Sequence, residues 1–187
     1  MHDGFAEQKD DVIGRRAVLV EALDKALEIF CSHDKTTFEE EMAYGLRPIA
    51  EASEVSRIII FRHIELSEEK CFKQLYCWDT VKGRLAEKNM IPLPFNETTT
   101  GWIHILLKNT CVNQRLCDMP ENEKAYMDKI GIRSIFIVPI FSEGALWGGV
   151  AYLDHCNDRL FGEECMGFMR STARLCSNAV IHHEREQ

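Results

Sequence analysis

The 187-residue sequence has no run of 18 uninterrupted apolar residues, and its N-terminal MHDGFAEQKDD lacks a basic segment followed by an apolar one. Neither a membrane span nor a signal peptide is expected, so the chain as given reads as soluble and cytoplasmic, without direct membrane contact. Clusters of lysine or arginine are missing too. The net charge of −8 comes from acids scattered along the chain, so a phosphate backbone has little to grip and nucleic acid is not an expected partner. No CxxC pair occurs among the eight cysteines. Cys71 and Cys77 stand six apart, as do Cys111 and Cys117; on a strand such a pair shares a face about 20 Å apart, too far to bind one zinc ion. No metal site is expected, and the eight read as reduced thiols, mostly small buried hydrophobes, rather than a disulfide framework. Also missing are a glycine loop for nucleotides, a kinase phospho-acceptor box and a cyclase motif. No catalytic residue is assigned, and the domain by itself is not expected to be an enzyme.

What is present fits one domain with one core: 45 % hydrophobic and 28 % charged residues are ordinary globular usage. Leu19, Leu23, Ala26, Leu27 and Phe30 recur at helical spacing, which predicts an amphipathic helix over about 12–32. Thr37 three residues before Glu40 forms a capping-box signature. Phe38, Met42, Leu46 and Ile49 then make the stripe of a helix reaching about Ala52. RIIIFRHIEL and CFKQLYCWD read as a hairpin, with Phe72, Tyr76 and Trp78 on one face. Thr80 to Met90 is polar and irregular, and IPLPF permits only an extended edge, so a covering flap is expected there. Trp102, Ile105 and Leu106 mark the buried side of a short helix within NETTTGWIHILLKN. A short strand over 110–116 follows, then a helix opened by Pro120 and Glu121 and closed by Gly131. The chain ends in a long helix, about 159–186, with Phe161, Cys165, Phe168, Thr172, Cys176 and Ala179 as its stripe. His182 and His183 read as its solvated end.

Between the last two helices lies IRSIFIVPIFSEGALWGGVAYLDH, residues 132–155. Alternation puts Ile132, Phe136, Val138 and Ile140 on one face and Ile135, Ile137 and Phe141 on the other, so this strand is covered on both sides. Pro139 inside one strand and two glycines after Trp147 inside the next demand a bulge or an unusually close backbone approach.

This stretch, followed by R-L-F-G-E-E, resembles the GAF domain, a ligand-sensing module of signalling proteins. Val138, Pro139, Ile140, Trp147, Gly148, Phe161 and Glu164 occupy the family's typical places, and the likeness runs over roughly residues 35–183. The resemblance implies an α+β, α/β/α-like sandwich: an antiparallel GAF/PAS-like sheet with terminal helices on one face and a short-helix and loop cover on the other. Residues 1–34 then form an N-terminal signalling and dimerisation helix, and 35–187 the sensor domain with its C-terminal relay helix.

Functionally the resemblance implies a regulatory module that senses an unknown small molecule, forms a homodimer through its terminal helices and relays to a downstream effector domain in the same polypeptide. The style of the domain is similar to GAF domains of bacterial sensor histidine kinases, with diguanylate cyclases second, so the chain is expected to be a piece of a longer protein. Ligand candidates are Trp78, Phe95, Trp102, Ser134, Phe136 and Trp147; Ser134 and Phe136 share a face, but alternation does not say which face holds the pocket. No cofactor is expected. An alternative from the same family is a free methionine sulfoxide reductase using Cys111 and Cys117, which would need a stabilised thiolate. Asn157, Phe161, Glu163 and Glu164 echo the cyclic-nucleotide signature of some GAF domains, but Asp158 stands where those carry lysine. Bilin attachment uses a Cys-His dipeptide, absent from this sequence. His104, the one roof histidine that a haem or iron site would use, reads as solvent-facing or core-satisfied.

Overall fold

The computed structural model describes residues 3–32, 37–66, 69–80, 84–85, 93–94 and 100–186. Helix α1 spans Asp3–Cys31 and α2 spans Phe38–Ser53. The capping box forms as expected: the Thr37 hydroxyl accepts from the Glu40 backbone N–H, and the Glu40 carboxylate accepts from the Thr37 N–H at 3.0 Å. Two donors at the start of α2 are thereby satisfied. On α1 the buried stripe is Leu19, Ala22 and Ala26, with Leu23 and Phe30 beside it. Leu27, expected on that stripe, is 38 % exposed, because one residue beyond Ala26 is a turn of about 100° around the axis. The expected boundary after residue 34 falls outside the described residues.

Strands β1 (Arg57–Leu66) and β2 (Glu69–Asp79) form the first hairpin; β6 (Ser134–Ser142) and β7 (Ala145–Asp154) form the second. Antiparallel pairing of β1 with β7 joins them. Three short strands complete the sheet: β3 (Arg84–Leu85) and β4 (Leu93–Pro94) on β2, and β5 (Val112–Arg115) on β6. The order is β3-β2-β1-β7-β6-β5. Pro94 stands on an edge pairing, where a missing donor does least harm. The rest of the expected flap lies outside the described residues.

One face of the sheet is covered by α1, α2 and the long C-terminal helix α5 (Glu163–Glu186); Ile58, Ile60, Trp78, Phe136, Val138, Val150 and Tyr152 pack beneath them. The other face carries α3 (Thr100–Leu106) and α4 (Glu121–Lys129), which follows a single 3-10 turn at Leu116–Asp118. A second apolar cluster fills that side: Phe61, Phe72, Ile135, Ile137, Ala151 and Leu153 from the sheet, Trp102, Ile103, Leu106 and Met127 from the cover. The architecture is therefore α+β, with terminal helices on one face and a short-helix cover on the other. No helix among the described residues is long and apolar enough to cross a membrane.

Two bulges shift faces relative to simple alternation. The β1–β2 register slips between Ile60↔Tyr76 and Phe61↔Gln74, so Leu75 is an extra residue. Tyr76 and Trp78 lie with the terminal helices, whereas Phe72 lies in the opposite cluster; the expected shared face for the three does not form. By the same register Cys71 and Cys77 point to opposite faces. The second slip, between Ile140↔Gly148 and Phe141↔Leu146, makes Trp147 the extra residue of β7. Ile132 precedes β6 and joins the α3–α4 side, apart from Phe136 and Val138, because strand alternation starts only at Ser134.

Helix α5 begins at Glu163, later than the expected residue 159. Asp154 Oδ1 accepts from the Cys156 and Asn157 backbone N–H groups at 2.8 and 3.0 Å, and Oδ2 accepts from Arg159 Nε at 3.0 Å. The Ser134 hydroxyl donates to the Asn157 carbonyl at 2.6 Å and accepts from the Arg159 N–H at 2.7 Å. These bonds hold the backbone of 156–159 in a loop, so the helix starts after it. At the far end, His182 is exposed but His183 stacks on Phe38, centroids 3.8 Å apart and rings 7° from parallel. The histidine pair is thus only half solvated.

Candidate functional site

Between the sheet and the α3–α4 cover lies a cavity of about 120 Å³. Its floor comes from alternate residues of four strands: Ile59 and Phe61 on β1, Phe72 and Gln74 on β2, Ile135 and Ile137 on β6, Ala151 and Leu153 on β7. Trp102 and Leu106 of α3, with Tyr126, Met127 and Ile130 of α4 and its end, form the roof. Ile130 is 41 % exposed and stands at the rim.

Two glycines let β7 approach β1 closely beside the floor. Gly149 pairs with Phe61, and a Cβ there would lie 2.7 Å from the Phe61 ring and 2.7 Å from the Val138 carbonyl oxygen. At Gly148 a Cβ would collide with the Phe61 carbonyl oxygen and sit 2.8 Å from the Arg62 Cα. Only glycine permits this approach. The Trp-Gly-Gly run thus answers both expectations raised by the sequence, bulge and close contact.

The polar groups are few. Trp102 Nε1 donates to Gln114 Oε1 at 2.8 Å, which fixes the indole in the roof. Gln74 lines the floor, and its buried carbonyl oxygen Oε1 has no hydrogen-bond partner. Glu123 stands one helical turn before Met127 and is 5 % exposed; its Oε2 is also buried without a partner. Burial pushes the Glu123 carboxyl above the ordinary carboxylate range, and the neighbouring Trp102 indole opposes the shift only in part. No lysine, arginine, histidine, aspartate or glutamate is among the described lining residues.

Of the six residues singled out from the sequence, Trp102 lines this cavity. Trp78 and Phe136 are buried under the terminal helices. Ser134 shares the Phe136 face, as alternation requires, and spends its hydroxyl on the β7–α5 loop. Trp147 packs at the edge of the helix-covered core, in a groove with Arg62, Ile181 and Glu184. Phe95 lies outside the described residues. The sequence reading missed Phe61, Gln74 and the α4 face, although Glu123, Tyr126, Met127 and Ile130 follow the i, i+3, i+4, i+7 spacing that marks one side of a helix. For Gln74 no local signal exists, because only the bulge at Leu75 turns it inward.

The residues of the alternative chemistries lie elsewhere. Cys111 packs toward the helix-covered core and Cys117 is exposed on the 3-10 turn; neither lines the cavity. Burial pushes the Cys111 thiol up, with Arg170 and Arg174 opposing. Cys117 is also raised, first by desolvation, with Arg115 opposing and Asp118 adding. Neither environment favours a thiolate. His104 is exposed; Asn157 and Phe161 belong to the β7–α5 connection and Glu163 and Glu164 to the first turn of α5, and none of these lines the cavity.

Comparison with known proteins accords with this geometry. The phycocyanobilin-bound GAF domain of a cyanobacterial phytochrome superposes with a TM-score of 0.64 at 14 % identity, covering 92 % of this chain and 97 % of that one. The GAF domain of a two-component sensor histidine kinase from Bacillus halodurans gives 0.53 at 14 % identity, with 75 % and 94 % covered. In sequence, the methanogenesis regulatory histidine kinase FilI of Methanothrix harundinacea (strain 6Ac) is 31 % identical over 138 residues, 73 % of this chain. The chain spans only 16 % of the length of that relative. The GAF domain family model matches residues 44–180, and the chain belongs to the GAF domain family.

Proposed function

We propose that this GAF domain is a cytoplasmic sensory module of a larger signalling protein, a histidine kinase, that binds a small molecule in the α3–α4 cavity, dimerises through its terminal helices and relays occupancy to the kinase. One observation carries the reading. Phe61 forms the cavity floor, and the next residue, Arg62, points to the other face, where its guanidinium donates to both carboxylate oxygens of Glu184 near the end of α5 at 3.1 and 3.2 Å. Adjacent residues of one strand thus touch the guest's space and the relay helix. The likeness to FilI and to the Bacillus sensor kinase domain supports the kinase assignment. Eight free cysteines suit a reducing compartment.

Dimerisation is supported by α1, which leaves Ile13, Val20 and Leu27 exposed at seven-residue intervals, the spacing of a two-helix seam. A bilin, as in the cyanobacterial neighbours, does not suit this chain: about 120 Å³ is far below what a tetrapyrrole fills, and no Cys-His dipeptide is present.

Native mass spectrometry of the purified chain tests the proposal. A dimer that Val20→Glu converts to folded monomer is expected, with a retained small molecule that Ala151→Leu displaces. A monomer at tens of micromolar removes the dimer from the proposal, and a retained mass indifferent to Ala151→Leu removes the cavity.

A further inference from the structure

We infer that the cavity selects an uncharged, single-ring-sized apolar molecule carrying one N–H or O–H donor, and that this donor is received by Gln74 Oε1. The inference rests on the reading of the cavity as the sensory site. Size comes first: a cavity of about 120 Å³ is slightly smaller than the roughly 150 Å³ apolar cavity known to hold benzene or xenon. Charge comes second. An ion entering this space would lose its hydration with no charged side chain among the described lining residues to replace it, a heavy penalty in an apolar surround.

Polarity decides the rest. The Trp102 N–H is already taken by Gln114, so it has little to offer a guest. Among the described lining residues, Gln74 Oε1 is the buried atom left without a partner, and it is an acceptor, so its complement is a donor. A purely apolar guest would leave it unmet. A guest with one donor meets it while the remaining surface packs on Ile59, Phe61, Trp102 and Ile137.

The test uses phenol, benzene and benzoate as probes, titrated into the purified chain and followed by the 13C-methyl NMR signals of Ile59, Ile135 and Ile137. Phenol and benzene are expected to shift these methyls while benzoate does not, with phenol bound about three- to tenfold more tightly than benzene. Gln74→Leu should remove that preference by weakening phenol and not benzene. Ala151→Leu should block both; if that variant does not fold, displacement of phenol by benzene at the same methyls replaces it. Binding of benzoate with phenol and benzene inert overturns the inference and leaves the sensory reading standing. Equal affinity for phenol and benzene in the unmodified chain overturns the role of Gln74, and no shift from any probe overturns the guest class. Probe binding as expected, with no response in α5, supports the inference and sinks the sensory reading.

Discussion

The ring of Phe61 lies against the backbone of Gly149, its antiparallel partner across the β1–β7 ladder. A methyl at Gly149 has two obstacles, each at 2.7 Å. The Phe61 ring can swing into the cavity; the Val138 carbonyl can withdraw only by distorting the β6–β7 pairing. Gly149→Ala is therefore expected to cost about 1–3 kcal/mol, a fall in Tm of about 2–4 °C per kcal/mol in a chain of this size, and to diminish guest binding by filling the cavity. Gly148→Ala meets backbone alone and should cost more. Thermal unfolding of both variants checks the order, and a Gly149→Ala protein as stable as the parent would show that the contact is slack.

Such contacts explain which parts of the fold were legible in the sequence. The capping box at Thr37 and Glu40 is written within four consecutive residues and forms in the structure. The β6–β7 hairpin and its glycines were equally local. The bulge at Leu75 is different: an extra residue is defined only against its partner strand, and β1, apolar on both faces near its start, gives no alternation to count against. That one slip separates Phe72 from Trp78 and turns Gln74 inward. The start of α5 differs from the expected residue 159 for a related reason, since Arg159 bonds Glu54, 105 residues away. Trp102 is legible because its short helix has a clear buried side, whereas on a sheet buried on both faces alternation does not say that Trp78 and Phe136 turn toward the terminal helices.

Arg159 closes a junction between two helices. It donates to Asp154 Oδ2 at 3.0 Å, and also to the Ser53 and Glu54 carbonyl oxygens at 3.2 and 2.7 Å, where α2 ends in the left-handed Glu54, φ 55°. Arg159→Ala should cost about 2–4 kcal/mol, because Asp154 stays buried after its cation is gone. The acid has a pH signature of its own. Burial alone would push the Asp154 carboxyl up, but bonds from Asn157 and Cys156, with Arg159 nearby, outweigh it and hold the pKa below its ordinary value. A depressed folded pKa contributes stability above the ordinary carboxylate pKa, and that stability is lost as pH falls through the folded value. Urea unfolding from pH 7 downward should therefore show the deficit of Asp154→Asn shrinking below about pH 4. A deficit constant over that range would mean that the ionised form is not what stabilises the loop.

Glu123 has the opposite sign. Its folded pKa is raised by burial, so its neutral form fits the fold, and stability is lost as pH rises through the folded value. Glu123→Gln keeps the shape and removes the desolvated charge. It should raise Tm at pH 7 by about 2–4 °C, equivalent to ~1 kcal/mol, with the gain gone near pH 4, where the parent carboxyl is itself protonated. A gain independent of pH would point to packing rather than charge.

Arg62 separates relay from stability. Its pair with Glu184 is partly solvated, side chains 43 % and 33 % exposed, and such pairs are worth about 0–1 kcal/mol. Arg62→Ala should leave Tm nearly unchanged, and the cavity, which Arg62 does not line, should keep its affinity for phenol. What should be lost is transmission: in the parent, phenol shifts the methyl signals of Ile181, which shares a groove with Arg62 and Trp147 at the end of α5, and in the variant that response should fall while the Ile59 and Ile137 responses persist. Were Ile181 to respond equally in both proteins, the signal would have to cross the sheet by another route, through the Trp147 bulge or through Tyr152, whose hydroxyl donates to the Met169 carbonyl of α5 at 2.9 Å.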